Sequence, residues 1–160
     1  MSGRRVVEVR ASSALAAGLD EVVAVASTLQ GVNAELSPWV RMSGGREDLR
    51  ALAEEHPPGT VLLHSWMLGL GVIPFDRHAL ALDRLVVTDD ELGFDERSTS
   101  WLQRSWVHQR RIRRDGDGCT VSDHVRAEPR VSLVAPVARV VVGALFAHRH
   151  RRLRRRFGAR

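Results

Sequence analysis

Three ionisable residues on one predicted β-hairpin are the strongest candidates for chemistry in this sequence. The segment WVHQRRIRRDGDGCTVSDHV, residues 106–125, is typical of two strands joined by a tight turn at Gly116-Asp117. That turn sets a register in which Arg110 faces Asp123 and His108 is their diagonal neighbour. Arginine can hold an anion, aspartate can orient the arginine, and histidine can donate or move a proton near neutral pH.

The pleat of this hairpin turns the three ionisable residues towards the same side as its apolar residues. The opposite face is polar throughout, so we expect the face that carries both apolar and ionisable residues to be the inner one. It carries Trp106, His108, Arg110 and Ile112 opposite Val121, Asp123, Val125 and Ala127. Buried charges persist when they are paired and hydrogen-bonded, or when they line a cavity. Two interpretations therefore stay open, a structural ion pair with a satisfied histidine and the polar end of a ligand cavity.

Aromatic and further polar residues extend this candidate site. Trp66 and Trp106 lie on predicted strands and could line an aromatic pocket, with core packing as the alternative. Glu96 shares a strand face with Phe94 and Ser98, which favours an inward side chain. His64 has the same strand parity as Trp66, and for it a packed histidine competes with a ligand contact.

No pattern in the sequence predicts a metal or a cofactor. The DGDG turn at 115–118 lacks the later ligands and closing glutamate of a calcium loop. His148 and His150 are two positions apart on a predicted helix, and the sequence has no H-E-x-x-H or C-x-x-C. Gly69-Leu70-Gly71 does not extend to a dinucleotide-binding motif. Cys119 is the only cysteine, so an intrachain disulfide is excluded.

The charge of the chain is concentrated in one place. The formal net charge is +5, and seven arginines with no acid follow Ala147, so the preceding residues are near neutral. We therefore consider nucleic acid an unlikely partner. The basic helix end, 148–160, has three open interpretations. It could be a solvated helix end, a weak contact with anionic membrane through the arginines with Leu153 and Phe157, or a contact with phosphates.

Length and hydropathy indicate a single soluble domain. A chain of 160 residues is long enough to bury one core, and no linker divides residues 1–160. The N-terminus has no apolar stretch of signal-peptide length. The apolar segment 131–147 contains Pro136 and Arg139 and is shorter than a bilayer span. We expect a cytoplasmic protein, and the oligomeric state stays open.

The pattern of elements favours an antiparallel sheet with a long final helix. A first strand at Val6–Val9 precedes a helix at 15–29, with Ser13 as its N-cap and Gly31 at its end, then a further short helical turn. A strand at 39–43 and a polar helical insertion at 44–59 follow. Five more strands are predicted at 60–68, 79–88, 93–99, 105–113 and 119–128, and the last helix at 133–157. Crossover helices are missing between those strands, which argues against a parallel α/β sheet.

Order and motifs together resemble the helix-grip superfamily, which includes START lipid-transfer domains, the birch-pollen allergen family and polyketide cyclase/dehydratase-like proteins (SRPBCC). The resemblance is carried by VVEVRASSALAAGLDEVVAVAS (6–27), WVHQRRI (106–112), GCTVSDHV (118–125) and LFAHRHRRLRRRFG (145–158). Many bacterial members show W-x-H, then T-x-V-x-D-x-V, then a helix ending in F-G. The loop PRVSLVAP departs from the usual Pro-Leu-Gly-type loop, which leaves the subgroup undetermined.

The resemblance implies an α+β helix-grip fold, in which a seven-stranded antiparallel sheet wraps around a long C-terminal helix in the order β-α-α-β6-α. It also implies a cavity for a hydrophobic small molecule, with no catalytic residue set shared across the superfamily. We expect a ligand-binding protein whose cavity is mostly apolar, with Arg110 as anion anchor, Asp123 as its orienting partner and His108 as a hydrogen-bond donor that could switch near neutral pH. The alternatives are a polyketide cyclase/dehydratase-type enzyme with His108 as the catalytic candidate, and an interaction protein that docks through its basic C-terminal helix.

Overall fold

A computed structural model of the chain describes residues 3–44 and 47–160. Its elements follow the predicted order β-α-α-β6-α with a helical insertion. They are β1 (Val7–Leu15), α1 (Leu19–Ala26), α2 (Leu29–Leu36), β2 (Val40–Met42), α3 (Leu49–Glu54), β3 (Val61–Gly69), β4 (Ile73–Val87), β5 (Glu91–Ser100), β6 (Gln103–Asp115), β7 (Gly118–Pro129), a 3-10 turn (Ser132–Val134) and α4 (Ala135–Phe157). The α+β class is confirmed.

Within the described residues, seven strands form one antiparallel sheet in the order β1-β7-β6-β5-β4-β3-β2. The sheet curls around α4, which packs against β1 and β7 on one side and α2 on the other. This is the helix-grip arrangement that the motifs predicted. Because each hairpin reverses direction, the β3–β4 turn, the β5–β6 turn and the end of β7 lie at one end of the sheet.

The predicted register of the β6–β7 hairpin is confirmed. Arg110 pairs with Asp123, and the two-residue turn is Gly116-Asp117. Gly116 has a φ of 58°, a left-handed conformation that glycine adopts without a steric penalty. The face that carries both apolar and ionisable residues is the inner one, since Ile112 and Val121 are buried beside Arg110 and Asp123.

The first predicted helix was placed too early. β1 extends to Leu15, which pairs with Cys119 of β7, so Ser13 lies inside a strand and cannot cap a helix. Gly18 is the N-cap of α1 instead. The first helix ends at Ala26, and the further helical turn that we predicted is a separate helix, α2, which the side chain of Thr28 caps by accepting a bond from the Gly31 amide.

Gly31 lies within α2 rather than ending a helix. A Cβ built on Gly31 would lie 1.9 Å from the carbonyl oxygen of Val25. Only a residue without a side chain allows α1 and α2 to approach this closely.

The helix of the insertion at 44–59 is shorter than predicted. Its helix, α3, spans Leu49–Glu54, and the Asp48 side chain caps it by accepting a bond from the Ala51 amide. Residues 45 and 46 of the predicted helix lie outside the described residues.

The core continues along α4 into the segment that we predicted to be a basic helix end. Arg149, His150, Leu153 and Phe157 are all buried there. Main-chain bonds run from the amides of Ala16 and Ala17 to the carbonyls of Gly158 and Phe157. The 148–160 segment is therefore an integral part of the fold, and only its remaining arginines are solvated.

One stretch, Ser132–Phe157, is long and apolar enough to cross a membrane by length and composition alone, with 22% of its apolar window buried. A core helix of a globular domain meets the same criterion. Here the second half of the helix contributes Arg149, His150 and Leu153 to the interior, so we describe it as the gripped helix of the domain.

Candidate functional site

A cavity of about 530 Å³ lies between the sheet and α4, with α2 and α3 along one side. This volume is in the range of small-molecule sites. Its wall is mostly apolar. The sheet supplies Leu80, Leu82, Phe94 and Trp106, and α4 supplies Val142 and Phe146.

Charged side chains meet the cavity from the inner face of the sheet and from α4. His78, Glu96, His108, Arg110 and Arg149 belong to its wall. All five are buried from bulk solvent. They come from four elements, β4, β5, β6 and α4, so this polar region depends on the closed fold. Because ionised groups in such a place need partners, the next question is how they are paired.

The centre of the polar region is Arg110. Its Nε and Nη2 donate to the two carboxylate oxygens of Asp123 at 2.8 Å. Its Nη1 and Nη2 donate to Glu35 of α2 at 3.0 and 2.9 Å. Four of its five N–H groups are therefore bonded to carboxylates. Arg149 of α4 adds two further bonds to Glu35, at 3.0 and 2.8 Å.

The carboxylate of Asp123 is also hydrogen-bonded to two histidines. His108 Nε2 lies 2.7 Å from Oδ1, and His150 Nε2 lies 2.8 Å from Oδ2. The other ring nitrogen of His150 is 2.8 Å from the Ser13 hydroxyl. Asp123 thus joins β7, β6, α4 and, through Ser13, β1.

A second carboxylate, Glu96, continues the chain of contacts along the cavity wall. His108 Nδ1 lies 3.5 Å from Glu96 Oε2, while His78 Nε2 lies 2.7 Å from Oε1. The Ser98 hydroxyl donates to the same oxygen at 2.7 Å. His108 therefore sits between two carboxylates, Glu96 on the cavity side and Asp123 behind it.

The pairing keeps the carboxylates ionised in spite of their burial. Burial alone would raise the pKa of Glu96, but bonds from His108 and His78 outweigh it and lower that pKa to about 2. Burial opposes ionisation of Asp123 as well, and Arg110 and His108 hold its pKa well below the usual value. For Glu35, the charges of Arg110 and Arg149 outweigh burial and lower the pKa.

The pKa of His108 is shifted in the opposite direction. Burial alone would lower its pKa, but the bonds to Asp123 and Glu96 outweigh it and raise that pKa above the ordinary value. With His108 protonated, three cations (Arg110, Arg149 and His108) face three carboxylates (Glu35, Glu96 and Asp123). Each of the three carboxylates then lies against at least one of these cations.

The structure brings four of the predicted site residues to the cavity wall. Trp106, His108, Arg110 and Glu96 line it. Asp123 is buried behind His108 and Arg110, with 1% of its side chain exposed, and it is not part of the wall.

Trp66 and His64 lie away from the cavity, which corrects their predicted placement. β3 has register irregularities between Val61 and Leu63 and between Met67 and Leu68. An irregularity of this kind reverses the alternation of strand faces. Leu62 and Met67 therefore line the cavity, His64 is exposed, and Trp66 packs against Trp101 with their ring centroids 5.0 Å apart.

Sequence reasoning missed four ionisable residues of this buried network, namely Glu35, His78, Arg149 and His150. For two of them a signal existed. Arg149 and His150 follow Phe146 by three and four positions and precede Leu153, so helical periodicity places them on the buried face of α4. Glu35 had no such signal, because its partners Arg110 and Arg149 are more than seventy positions away.

The remaining arginines of 148–160 are exposed. Since Leu153 and Phe157 are buried, they are not available for contact with lipid. Docking of an acidic partner or a membrane at this end would depend on the arginines alone, and it stays a prediction. Among residues 3–44 and 47–160, no group of three or more histidine, cysteine and acidic side chains is arranged to hold a metal ion.

A family comparison covers almost the whole of this architecture. The model for the domain of unknown function DUF8410 matches residues 13–157. The chain belongs to the DUF8410 family. No curated protein matches this DUF8410 chain by sequence.

Solved structures similar to the DUF8410 chain share its fold at low sequence identity. Protein CV1439 from Chromobacterium violaceum is 11% identical with a TM-score of 0.67, over 96% of this chain and 98% of that one. A START superfamily protein from Mycobacterium smegmatis is 12% identical with a TM-score of 0.63, over 94% and 96%. The di-domain ARO/CYC protein StfQ of the steffimycin biosynthetic pathway is 11% identical with a TM-score of 0.60, over 96% of this chain and 50% of that one. These likenesses confirm the START-like helix-grip fold.

Proposed function

We propose that this protein binds a hydrophobic or amphipathic small molecule in the cavity between the sheet and α4. The observation that supports this most directly is the cavity itself, about 530 Å³ with a mostly apolar wall and one charged region. A void of this size inside a domain costs packing energy that a fitted apolar ligand restores. The START-like fold of the protein is consistent with the proposal.

Arg149 is better placed than Arg110 to meet a polar group of the ligand. Arg110 has four of its N–H groups bonded to Asp123 and Glu35, which leaves little capacity for another anion. Arg149 uses Nε and Nη2 for Glu35, and among the described residues its Nη1 has no hydrogen-bond acceptor. Because both arginines already face carboxylates, we expect a neutral polar group, such as a hydroxyl or carbonyl, rather than a strong anion.

The test is native mass spectrometry of freshly purified protein, with two tryptophan variants on the same helix. Ala138 lines the cavity, whereas Val140 is 70% exposed and does not. Ala138→Trp should fill the cavity and remove a co-purified molecule, or the fluorescence of added anilinonaphthalene sulfonate, while Val140→Trp should retain either signal. If neither the adduct nor the dye distinguishes folded Ala138→Trp from Val140→Trp, the cavity is not a binding site.

A second candidate is a polyketide cyclase/dehydratase-type enzyme that uses the same cavity. The observation that favours it is His108, a cavity-wall histidine held between Glu96 and Asp123 with a raised pKa. Neighbouring groups whose pKa values are pushed apart are typical of acid–base catalysis. In this role protonated His108 would donate the proton of Nδ1 to a carbonyl oxygen, and Asp123 would hold the remaining proton on Nε2.

His108→Gln separates the two candidates. For an enzyme, the variant should abolish turnover of a β-polyketone substrate and leave its binding largely intact. For a binding protein, it should weaken affinity several-fold, and no turnover should exist to lose. The wild-type rate on such a substrate therefore decides whether the enzyme proposal survives.

A further inference from the structure

The open end of the cavity is surrounded by exposed apolar side chains. They come from three segments, 72–75, 101–102 and 131–141, which we call the mouth surface. Within it Leu133 is 84% exposed, Val140 70%, Val137 65% and Trp101 61%. An apolar surface of this extent usually marks a place where a protein meets an apolar partner.

The fold brings these three segments together. The β3–β4 turn, the β5–β6 turn and the end of β7 are at the same end of the sheet. The Leu102 amide donates to Asp76 Oδ1 at 3.1 Å, and the Arg130 amide donates to the Leu102 carbonyl at 3.0 Å. Phe75, Trp101, Leu102 and Val137 both line the cavity and are exposed to solvent, so they form its rim.

The first half of α4 is apolar on both of its faces. Val142 and Phe146 are buried on the side that faces the sheet. Leu133 and Val140 face outwards and line no cavity. Solvent-facing positions of a helix are usually polar. Apart from Arg139, the outward face of this half-helix therefore lacks the polar residues that a permanently solvated surface would carry.

The charge around the mouth surface selects among possible partners. The segments 60–75, 97–108 and 129–160 contain no aspartate or glutamate, and Asp76, which borders the first of them, is buried and accepts bonds from the amides of Arg77 and Leu102. Arg77, Arg130 and Arg139 are exposed around it, and among the described residues none of them has a carboxylate partner. A second copy of this surface would place arginines against arginines. Apolar side chains flanked by arginines, with a tryptophan at the rim, fit an interface with anionic lipid headgroups.

We propose that the mouth surface docks on a membrane that contains anionic lipids. Leu133, Val140 and Trp101 enter the boundary between headgroups and acyl chains, and Arg77, Arg130 and Arg139 contact the phosphates. The mouth of the cavity then faces the apolar layer, so a hydrophobic ligand passes between bilayer and cavity without crossing water. The docking itself does not depend on the proposed ligand function.

The test is flotation with vesicles of phosphatidylcholine, alone or in an equimolar mixture with phosphatidylglycerol. The variant is Leu133→Asp/Val140→Asp, which changes two exposed positions outside the cavity wall. Its matched control is Val87→Asp, which is 46% exposed at the other end of the sheet. The wild type and Val87→Asp should bind the anionic vesicles alike, and the double variant should bind at least about tenfold more weakly.

A further variant tests the other basic surface. Arg151→Gln/Arg155→Gln removes two exposed arginines of the helix end and should bind the anionic vesicles as the wild type does. A loss as large as that of the double aspartate variant would overturn the proposal in favour of the helix end. Binding of the double aspartate variant at wild-type strength would also overturn it.

Self-association is the remaining outcome that would overturn the proposal. Sedimentation velocity should show a monomer, and a dimer that Leu133→Asp/Val140→Asp dissociates would mean that a second copy covers the mouth surface. The double variant should keep its circular dichroism spectrum and any co-purified ligand. Failure of the membrane proposal is therefore distinguishable from failure of the ligand proposal.

Discussion

Neutralising Asp123 is the most direct test of how the buried network holds the fold. Its carboxylate, 1% exposed, accepts bonds from Arg110 Nε and Nη2 at 2.8 Å, from His108 at 2.7 Å and from His150 at 2.8 Å. Asp123→Asn keeps the shape but places an NH₂ group against these donors. Removing one partner of a buried ion pair typically costs about 3–5 kcal/mol.

Asp83→Asn is the matched control. Asp83 bonds Arg97 between adjacent strands at 2.8 Å, but the two side chains are 40% and 70% exposed. Exposed pairs contribute at most about 1 kcal/mol. Urea denaturation at neutral pH, followed by circular dichroism, should therefore show a loss of free energy of unfolding for Asp123→Asn several times that for Asp83→Asn. Equal losses in the two variants would refute the view that the network stabilises the closed fold. Should Asp123→Asn not fold, Glu35→Gln tests the same network through its bonds to Arg110 and Arg149.

Four further predictions concern the pH dependence of stability, the packing of two glycines and the reactivity of the thiol. The pKa of Glu96 is lowered from 4.5 to about 2, so its contribution, about 3 kcal/mol, is present above pH 4.5 and is lost as the pH falls towards 2. Urea midpoints measured over that range should fall in the wild type and fall less in Glu96→Gln. The raised pKa of His108 acts in the other direction. Its contribution to the free energy of unfolding is present below pH 6.5 and is lost as the pH rises through the pKa of His108 in the folded protein. Gly31→Ala should destabilise the protein strongly in thermal melts, because the added Cβ meets the Val25 carbonyl, whereas Gly143→Ala, with open space around it, should stabilise α4 by about 0.5–1 kcal/mol. Burial raises the pKa of Cys119, so its reaction with a thiol reagent should be slow in the native protein and rapid in urea, and a fast native reaction would contradict its packing.

Local periodicity placed most of the strands and the last helix, the resemblance supplied the helix-grip arrangement, and together they predicted half of the ionisable residues of the buried network. The β6–β7 hairpin has a turn whose residues set its register, and strict alternation then placed His108 and Arg110 on the inner face. Alternation failed in β3, because irregular pairing reverses its faces, and His64 and Trp66 were therefore assigned to the wrong side. A single sequence has no signal for a bulge in an otherwise regular strand.

The partners that lie far apart along the chain could not be predicted. Because the turn of one hairpin sets which of its residues are opposed, Arg110 and Asp123 were paired correctly. Glu35, by contrast, reaches Arg110 and Arg149 only after α2 and α4 have packed against the sheet. The arginine-rich composition after Ala147 hid the fact that Arg149 and His150 belong to the interior, since charge density is a weaker guide than helical position.

Strand β1 pairs with β7, and Ala16 and Ala17 bond to the end of α4, so the start of the chain needs partners that are synthesised last. Strand β1 leaves the ribosome before any of its partners, and more than a hundred residues must be translated before β7 exists to pair with it. Contacts so distant along the chain slow folding, and an unpaired strand edge is prone to aggregation while it waits. A nascent chain arrested before β7 should therefore be sensitive to protease and dependent on chaperones throughout, and should acquire resistance in one step once α4 has emerged.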